Sequence, residues 1–137
     1  MKALTIREPW ATLILSGHKT VETRVWKTDY KGPILLHVGK TAQPETILLS
    51  DGTSLLMQPN NNLLGKVVGI VFLNGCRKME RADERAACCP IYTNAQAWIL
   101  GEVIPITPFE MRGQLQLFET PYSYERMLER KIHCEVR

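Results

Sequence analysis

The stretch from Gly65 to Asn74 constrains the fold more than any other part of the chain. Apart from Lys66, it is a nearly unbroken apolar run that is rich in valine. Valine favours the pleated backbone of a strand, and an apolar run without alternation is typical of a strand that is covered on both faces. The sequence therefore predicts a central strand that is buried on both sides.

Several other segments predict strands and helices around this run. Alternating or apolar patterns predict strands at 2–7, 21–26, 33–39, 98–106 and 115–118. Helices are predicted from Pro9 to Gly17, within Thr41–Leu49 and after Pro121, because proline is favoured in the first helical turn. Residues 50–62 are predicted to form an exposed loop, and the mixed charges of 77–85 a solvated helix or loop.

This order of elements predicts an α+β fold rather than an alternating, doubly wound one. With five or six short strands and peripheral helices, we expect a small mixed β-barrel. The chain has 137 residues, of which 45% are hydrophobic and 23% are charged, and we expect one domain over 1–137. Its net charge of +3 is compatible with an anionic ligand.

The sequence contains no pattern of a secretory signal, a membrane span or a cysteine metal site, and the predicted location and cofactors of the protein rest on this. Arg7, Glu8 and Pro9 interrupt the N-terminus before the apolar part of a secretory signal can form, and Leu63–Leu73 is too short to span a bilayer. We therefore predict a cytoplasmic protein with no membrane contact. The cysteines form no C-x-x-C pair, which predicts reduced thiols, no metal site and no cofactor; they are Cys76, Cys88, Cys89 and Cys134.

The candidate functional residues lie between Gly17 and Trp26. Gly17 stands where the apolar helical pattern ends, as a left-handed C-terminal cap would. In the strand that follows, the period of two places Glu22, Arg24 and Trp26 on one face. Val21, Thr23 and Val25 lie on the other face, which is expected to face the core. Lys19 lies in the turn just ahead of them. The sequence therefore brings an ammonium, a carboxylate, a guanidinium and an indole to one joint.

This group of residues allows three interpretations. A partly desolvated Lys19 can act as a base or nucleophile, which would make an enzyme. A nearby carboxylate instead keeps the lysine charged, and Glu22 can accept hydrogen bonds from an exocyclic amine, which would make a binding site for an anion or a nucleobase. In the third interpretation, Glu22 and Arg24 form an ion pair on a strand face that contributes little.

Aromatic residues and one histidine also allow two interpretations each. Three tryptophans are either stacking platforms for a base or core residues, namely Trp10, Trp26 and Trp98. His37 lies within an apolar strand, where a hydrogen-bonded core histidine is more common than a catalyst.

Three motifs resemble the ASCH domain, a relative of the PUA domains. They are Ile6-Arg7-Glu8-Pro9-Trp10-Ala11, then Gly17-x-Lys19-x-x-Glu22-x-Arg24, then Gly32-Pro33-Ile34-Leu35-Leu36-His37. The later Gly65-Lys66-Val67-Val68-Gly69 segment, the strand of Trp98 and the Gly113–Phe118 ending are similar to the same pattern. The resemblance implies a PUA-like β-barrel with a cleft lined by the second motif, and a role in binding RNA or a nucleotide-derived molecule.

Some members of the family that the chain resembles are hydrolases of RNA or of N4-acetylcytidine. In the amidohydrolase branch the lysine that matches Lys19 is catalytic, its partner is a threonine where this chain has Glu22, and a further glutamate follows the central strand. Glu80 and Glu84 are the glutamates in that neighbourhood. The departure from threonine at Glu22 argues against the amidohydrolase activity in particular.

Together, residues and resemblance predict an RNA- or nucleoside-binding protein. Arg24, Arg7, Trp10 and Trp26 are predicted to contact the ligand. The alternative is a hydrolase in which Lys19 is the base or nucleophile and Glu22 its acid–base partner. The sequence gives no sign of the oligomeric state.

Overall fold

A computed structural model of the protein describes residues 1–133. Within that range the chain forms eight strands and three short α-helices. In chain order they are β1 (Lys2–Glu8), α1 (Trp10–Leu15), β2 (Val21–Arg24), β3 (Gly32–Ala42), β4 (Glu45–Leu48), β5 (Ser54–Met57), β6 (Lys66–Lys78), α2 (Glu84–Ala87), β7 (Gln96–Glu110), β8 (Leu117–Glu119) and α3 (Tyr124–Leu128). Single 3₁₀ turns lie at Asn61–Leu63 and Arg81–Asp83.

The valine-rich strand β6 is central, as the sequence predicts. It pairs with β3 on one side and with β7 on the other, within a six-stranded sheet of order β2-β7-β6-β3-β1-β8. Val68 and Val71 pack in one hydrophobic cluster, whereas Val67 and Ile70 pack in a second one. Both faces of β6 are therefore covered, and each fully buried side chain of this size contributes about 1.5–3 kcal/mol relative to exposure.

The sheet is mixed, which confirms the α+β prediction, but it is not closed into a barrel. Within residues 1–133, only β1 and β3 run parallel, and every other pairing is antiparallel. The edge strand β8 pairs with Lys2–Leu4 alone, so the second half of β1 lies beside the other edge strand, β2, without forming a ladder with it in the described part of the chain. The predicted barrel is therefore not closed, and the contact across this seam is made by a side chain. Nη2 of Arg24 lies 2.9 Å from the carbonyl oxygen of Thr5.

The helix predicted within Thr41–Leu49 and the loop predicted over 50–62 are both wrong. β4 and β5 form a separate antiparallel hairpin, in which Glu45 pairs with Met57 and Leu48 with Ser54. Gly52, at φ +89°, makes the turn possible because glycine adopts a positive φ without steric cost. Short apolar runs such as Ile47–Leu49 fit either helix or strand, and here strand pairing decides.

The charged segment 77–85 is less solvated than its composition predicts. It contains the end of β6, a 3₁₀ turn and the start of α2, and Asp83 and Glu84 are buried. The guanidinium of Arg77 binds both carboxylate oxygens of Asp83 at 2.7 Å. A carboxylate that is paired in this way can be buried at little cost in free energy. The composition of the segment shows that both charges are present but not that they pair.

The helix and turn that lead to the candidate site form as predicted. Gly17 follows α1 at φ +85°, and its N–H donates to the carbonyl oxygen of Ile14. The N–H of Lys19 then donates to Leu13, which turns the chain back towards the sheet. Among residues 1–133, no helix has the length and apolar character needed to cross a membrane.

His37 is a hydrogen-bonded core residue, in agreement with the more common of its two interpretations. Its Nε2 lies 2.6 Å from the carbonyl oxygen of Met111, which can only accept, so Nε2 carries the hydrogen. Nδ1 then accepts from the hydroxyl of Thr5 at 2.9 Å. Gly113 lies directly against this pair.

We expect Gly113→Ala to destabilise the protein by about 1–3 kcal/mol, as overpacking of a filled core does. A Cβ at this position would lie 2.7 Å from Cε1 of His37 and 2.9 Å from Oγ1 of Thr5. Urea denaturation measures the effect. Gly75→Ala is the control, because its Cβ would meet no atom within 4 Å. Equal midpoints for the two variants would contradict the prediction.

Candidate ligand-binding cleft

The seam between β1 and β2 contains a cavity of about 470 Å³, a size typical of small-molecule sites. Its walls come from β1, the start of α1, the turn into β2, the end of β3 and the loop after α2. The lining residues are Thr5, Ile6, Arg7, Trp10, Lys19, Glu22, Thr23, Arg24, Gly39, Thr41, Cys89 and Tyr92. Five of the six predicted site residues are among them, and Trp26 is the exception.

Lys19 forms the floor of the cavity, and oxygen atoms of the protein surround its ammonium group. Its Nζ donates to the carbonyl oxygens of Val21 at 2.7 Å and Ala87 at 2.5 Å, and lies 3.4 Å from Oε1 of Glu22. Two hydrogen bonds and one ion-pair contact therefore surround the ammonium group. The side chain has no exposed surface. Lys19 therefore joins β2 to α2 and supports Glu22 from below.

Glu22 is a buried, ionised carboxylate that lies between two cations. Oε1 accepts from the backbone N–H of Thr23 at 3.0 Å, and Oε2 accepts from Nη2 of Arg24 at 2.9 Å. Burial alone would raise the pKa of Glu22, but the charges of Lys19 and Arg24 and the Thr23 hydrogen bond outweigh burial and hold the pKa below its usual 4.5. Glu22 therefore presents a fixed negative acceptor to the cavity.

Arg24 is the partly exposed member of this group. One nitrogen, Nη2, makes both of its protein hydrogen bonds, to Glu22 and to the carbonyl oxygen of Thr5. Nε and Nη1 carry three further N–H bonds, which have no hydrogen-bond partner within residues 1–133. The side chain is 25% exposed and lines the cavity. Arg24 is therefore held in place and still has donors to offer a ligand.

Arg7 and Trp10 form the rim of the cavity and contact each other. The Arg7 guanidinium lies over the Trp10 ring, 4.9 Å from its centroid, and 3.5 Å from Oε1 of Glu45. Trp10 packs against the main core, and its indole N–H donates to the carbonyl oxygen of Cys88. More than half of the Arg7 side chain is exposed, so a cation is available at the mouth.

The structure places Trp26 away from the cavity. β2 ends at Arg24, Val25 is 63% exposed instead of facing the core, and Trp26 turns inward. Its ring meets that of the fully buried Trp98 edge-on at 4.6 Å, and the Trp98 indole N–H donates to its carbonyl oxygen. Burying an indole removes more apolar surface from water than burying a valine. The strand alternation therefore stops after Arg24, and Trp26 is turned inward in place of Val25. Trp26 and Trp98 are core residues.

Seven of the twelve lining residues are not predicted from the sequence, and the three that bear most on the chemistry of the cavity are Thr23, Cys89 and Tyr92. Cys89 and Tyr92 belong to the loop after α2, which lies far from β2 in sequence. No local pattern connects the two segments. Thr23 is predicted to face the core with the valines, yet its Oγ1 lies 3.7 Å from Sγ of Cys89. Burial raises the pKa of Cys89, so its thiol stays protonated at neutral pH.

Glu80 and Glu84 do not line the cavity. Glu80 caps the 3₁₀ turn together with Asp83, and Glu84 is buried under the loop after α2. The carboxylate of Glu84 accepts from the N–H of Ile91 at 2.9 Å and from the N–H and hydroxyl of Ser50. These hydrogen bonds, with that of Ile91 the largest cause, hold the pKa of Glu84 below its usual value. Glu84 therefore fixes the loop that carries Tyr92.

The other two thiols in the described part of the chain do not line the cavity. Cys76 and Cys88 are free thiols, and burial raises the pKa of Cys88. Cys134 lies outside the described residues.

The fold and the cleft define a small α+β domain with a charged cavity at an open seam of its sheet. A sequence model of the ASCH domain matches residues 4–110, and the chain therefore belongs to the ASCH domain family. The family is associated with RNA binding.

Two relatives of this chain are both named activating signal cointegrator 1. The protein from Mus musculus is 29% identical over 89 residues and that from Homo sapiens is 28% identical over 89 residues. Each match covers 60% of this chain but only 15% of the relative, so the chain spans a small part of the length of these proteins.

Proposed function

We propose that this protein binds RNA or a nucleotide-derived molecule in the cleft between β1 and β2. One observation carries the proposal. Arg24 is fixed through a single nitrogen, beside the ionised Glu22, and three of its N–H bonds are left for a ligand. A charged donor and a charged acceptor held side by side in a cavity match a planar group that offers the opposite pair.

The edge of a nucleobase offers such a pair. Cytosine and adenine each carry an exocyclic amine next to a ring nitrogen that accepts hydrogen bonds. A carboxylate accepts from an amine of this kind, and a guanidinium donates to base acceptors, in many protein–nucleic acid contacts. In this proposal Glu22 receives the amine and Arg24 donates to the neighbouring acceptor.

The rim of the cleft supports a phosphate or sugar near the base. Arg7 is exposed at the mouth, and its position over Trp10 limits its movement. The net charge of +3 favours an anionic partner over the whole surface. The free thiols of Cys76, Cys88 and Cys89 fit a reducing compartment such as the cytoplasm, which is part of the proposal.

The geometry favours binding over the alternative of hydrolysis. A lysine that serves as base or nucleophile needs a lone pair directed at the substrate. Nζ of Lys19 instead has three acceptors around it, and its side chain has no exposed surface. We therefore assign Lys19 the role of supporting Glu22.

We expect Arg24→Ala to weaken the binding of short single-stranded RNA by roughly 10- to 100-fold, because a charged, directional contact is lost. Fluorescence anisotropy of labelled RNA measures the dissociation constant over a series of salt concentrations. Arg24→Lys should recover part of the salt dependence but not the affinity, because an ammonium lacks the planar fork.

The control is Arg112→Ala, which removes an exposed arginine that does not line the cavity. It should lower affinity little. Equal losses from Arg24→Ala and Arg112→Ala would mean that binding is nonspecific and not located in the cleft, and the proposal would fail.

Hydrolysis is tested in the same experiments with N4-acetylcytidine and short RNAs as substrates. We expect both to be recovered intact after incubation. Product formation that is lost in Lys19→Ala would instead support the hydrolase.

A further inference from the structure

The aromatic residues near the cleft differ in how much of each ring is free. Trp10 packs against the core and has the Arg7 guanidinium over its ring. Trp26 and Trp98 contact each other inside the protein. Tyr92 lines the cavity, is 40% exposed, and forms no ring–ring or cation–ring contact among residues 1–133. It is the aromatic side chain of the cleft that the protein leaves uncovered.

Tyr92 is also held in a fixed position. The preceding residue, Ile91, donates its N–H to the buried carboxylate of Glu84, and the N–H of Ala95 donates to the carbonyl oxygen of Tyr92. Burial raises the pKa of the Tyr92 phenol, and its interaction with Thr23 only partly offsets this rise. The ring is therefore neutral at physiological pH, and Thr23 beside it directly follows Glu22 in β2.

We propose that Tyr92 is the surface on which the bound base stacks, and that the ligand of the cleft is therefore an unpaired nucleotide of single-stranded RNA. This inference rests on the proposed function. A ring can stack only against a base whose face is free, and Glu22 and Arg24 can reach only a base edge that is not paired. In a duplex, neighbouring bases cover the faces and the partner strand occupies the edge.

The combination of stacking with edge recognition has a further consequence for selectivity. Every base has a face that can stack on a tyrosine, so Tyr92 supplies affinity without sequence preference. Glu22 and Arg24 supply the preference for an amine next to an acceptor. Homopolymers of cytidine and adenosine should therefore bind more tightly than one of uridine, which has no exocyclic amine.

The test compares four labelled probes of equal length by fluorescence anisotropy. They are single-stranded oligo-C, oligo-U, an abasic ribose-phosphate strand, and an RNA duplex. Each is titrated with the wild-type protein, Tyr92→Ala, Tyr92→Phe and the control Leu115→Ala. Leu115 is a highly exposed apolar residue outside the cavity. Circular dichroism of each variant reports whether it is folded.

We expect Tyr92→Ala to bind oligo-C roughly 10- to 100-fold more weakly than the wild type, the range found for loss of one base–aromatic stack. Tyr92→Phe should keep the wild-type affinity, because the ring remains. Tyr92→Ala and the wild type should bind the abasic strand equally, because that probe has no base to stack. The duplex should bind more weakly than oligo-C.

Two outcomes would overturn the inference and leave the proposed function standing. One is wild-type affinity of Tyr92→Ala for oligo-C when Arg24→Ala binds weakly. The other is a loss in Tyr92→Ala that is as large for the abasic strand as for oligo-C. Failure of the wild-type protein to bind any of the four probes would instead overturn the RNA-binding part of the proposed function, and the inference with it.

Discussion

Replacing Glu22 with alanine is expected to lower the free energy of unfolding by about 3–5 kcal/mol, the effect of removing one partner from a buried ion pair. The carboxylate lies between the ammonium of Lys19 and the guanidinium of Arg24, and it is buried together with Lys19. Without it, Lys19 remains buried with no counter-charge in contact, and Arg24 loses one of its two anchors. Urea denaturation at neutral pH measures the change.

The pH dependence gives this prediction a second readout. Because the folded protein holds the pKa of Glu22 below 4.5, ionised Glu22 contributes stability above the pKa of the unfolded chain. That contribution is lost as the pH falls through the folded-state pKa. The difference in stability between the wild type and Glu22→Gln should therefore be largest above pH 4.5 and shrink in more acidic solution.

Two controls separate the buried ion pair from a general loss of charge. Glu119→Ala removes a carboxylate from an exposed pair with Lys2 and should leave the unfolding midpoint close to that of the wild type. The double variant Lys19→Met/Glu22→Gln should lose less stability than the sum of its single variants. Strict additivity would show that the two charges are not coupled.

Replacing Glu8 with alanine is expected to lower the free energy of unfolding by about 3–6 kcal/mol, because three donors lose a charged acceptor at once. The side chain is fully buried. Its carboxylate accepts from the N–H of Thr12 at 2.7 Å, from the hydroxyl of Thr12 at 2.5 Å and from the N–H of Asn60 at 2.6 Å. It therefore ties the first turn of α1 to the segment ahead of β6.

The same change should also weaken ligand binding. Glu8 directly follows Arg7 and lies two residues before Trp10, so loosening α1 displaces the rim of the cleft. Chemical denaturation and RNA titration of one preparation measure both effects. The control is Glu102→Ala, which removes an exposed carboxylate from β7. If Glu8→Ala unfolds at the same urea concentration as Glu102→Ala, the carboxylate is not a structural tie.

The elements that the sequence predicts well are those whose signal is local. The valine run of β6, the glycine that ends α1 and the Lys19–Glu22–Arg24 group each lie within a stretch of about ten residues. Neighbours in sequence at a strand period of two must share a face, whatever the rest of the chain does. The placement of Glu22 beside Arg24 follows from that rule alone.

The parts that the sequence does not predict depend on contacts between distant segments. Cys89 and Tyr92 reach the cleft because the buried Glu84 holds their loop to Ser50, and no periodic pattern encodes that hydrogen bond. Closure of the sheet depends in the same way on whether β1 beyond Leu4 forms a ladder with β2, and the described residues do not form one. The sequence patterns predict how many strands form, but they do not predict whether the edge strands pair and close the sheet.

The sequence also contains a signal for the β4–β5 hairpin. Asp51-Gly52 is a strong hairpin signal, and it lies between two short apolar segments of similar length. The pair Pro44-Glu45 resembles a helix start and therefore predicts a helix instead. Strand pairing of β4 with β5 places Glu45 next to Arg7, so this hairpin also contributes a contact to the rim.

The joint between β1 and β2 consists of side chains, and this has a consequence for how such a domain can change over evolutionary time. A ladder of backbone hydrogen bonds would be the same for any sequence, so it could not be tuned. A guanidinium that spans the gap can be replaced by another residue in a single mutation, while the register of all six strands stays as it is. The scaffold can thus acquire a new ligand preference without having to invent a new architecture.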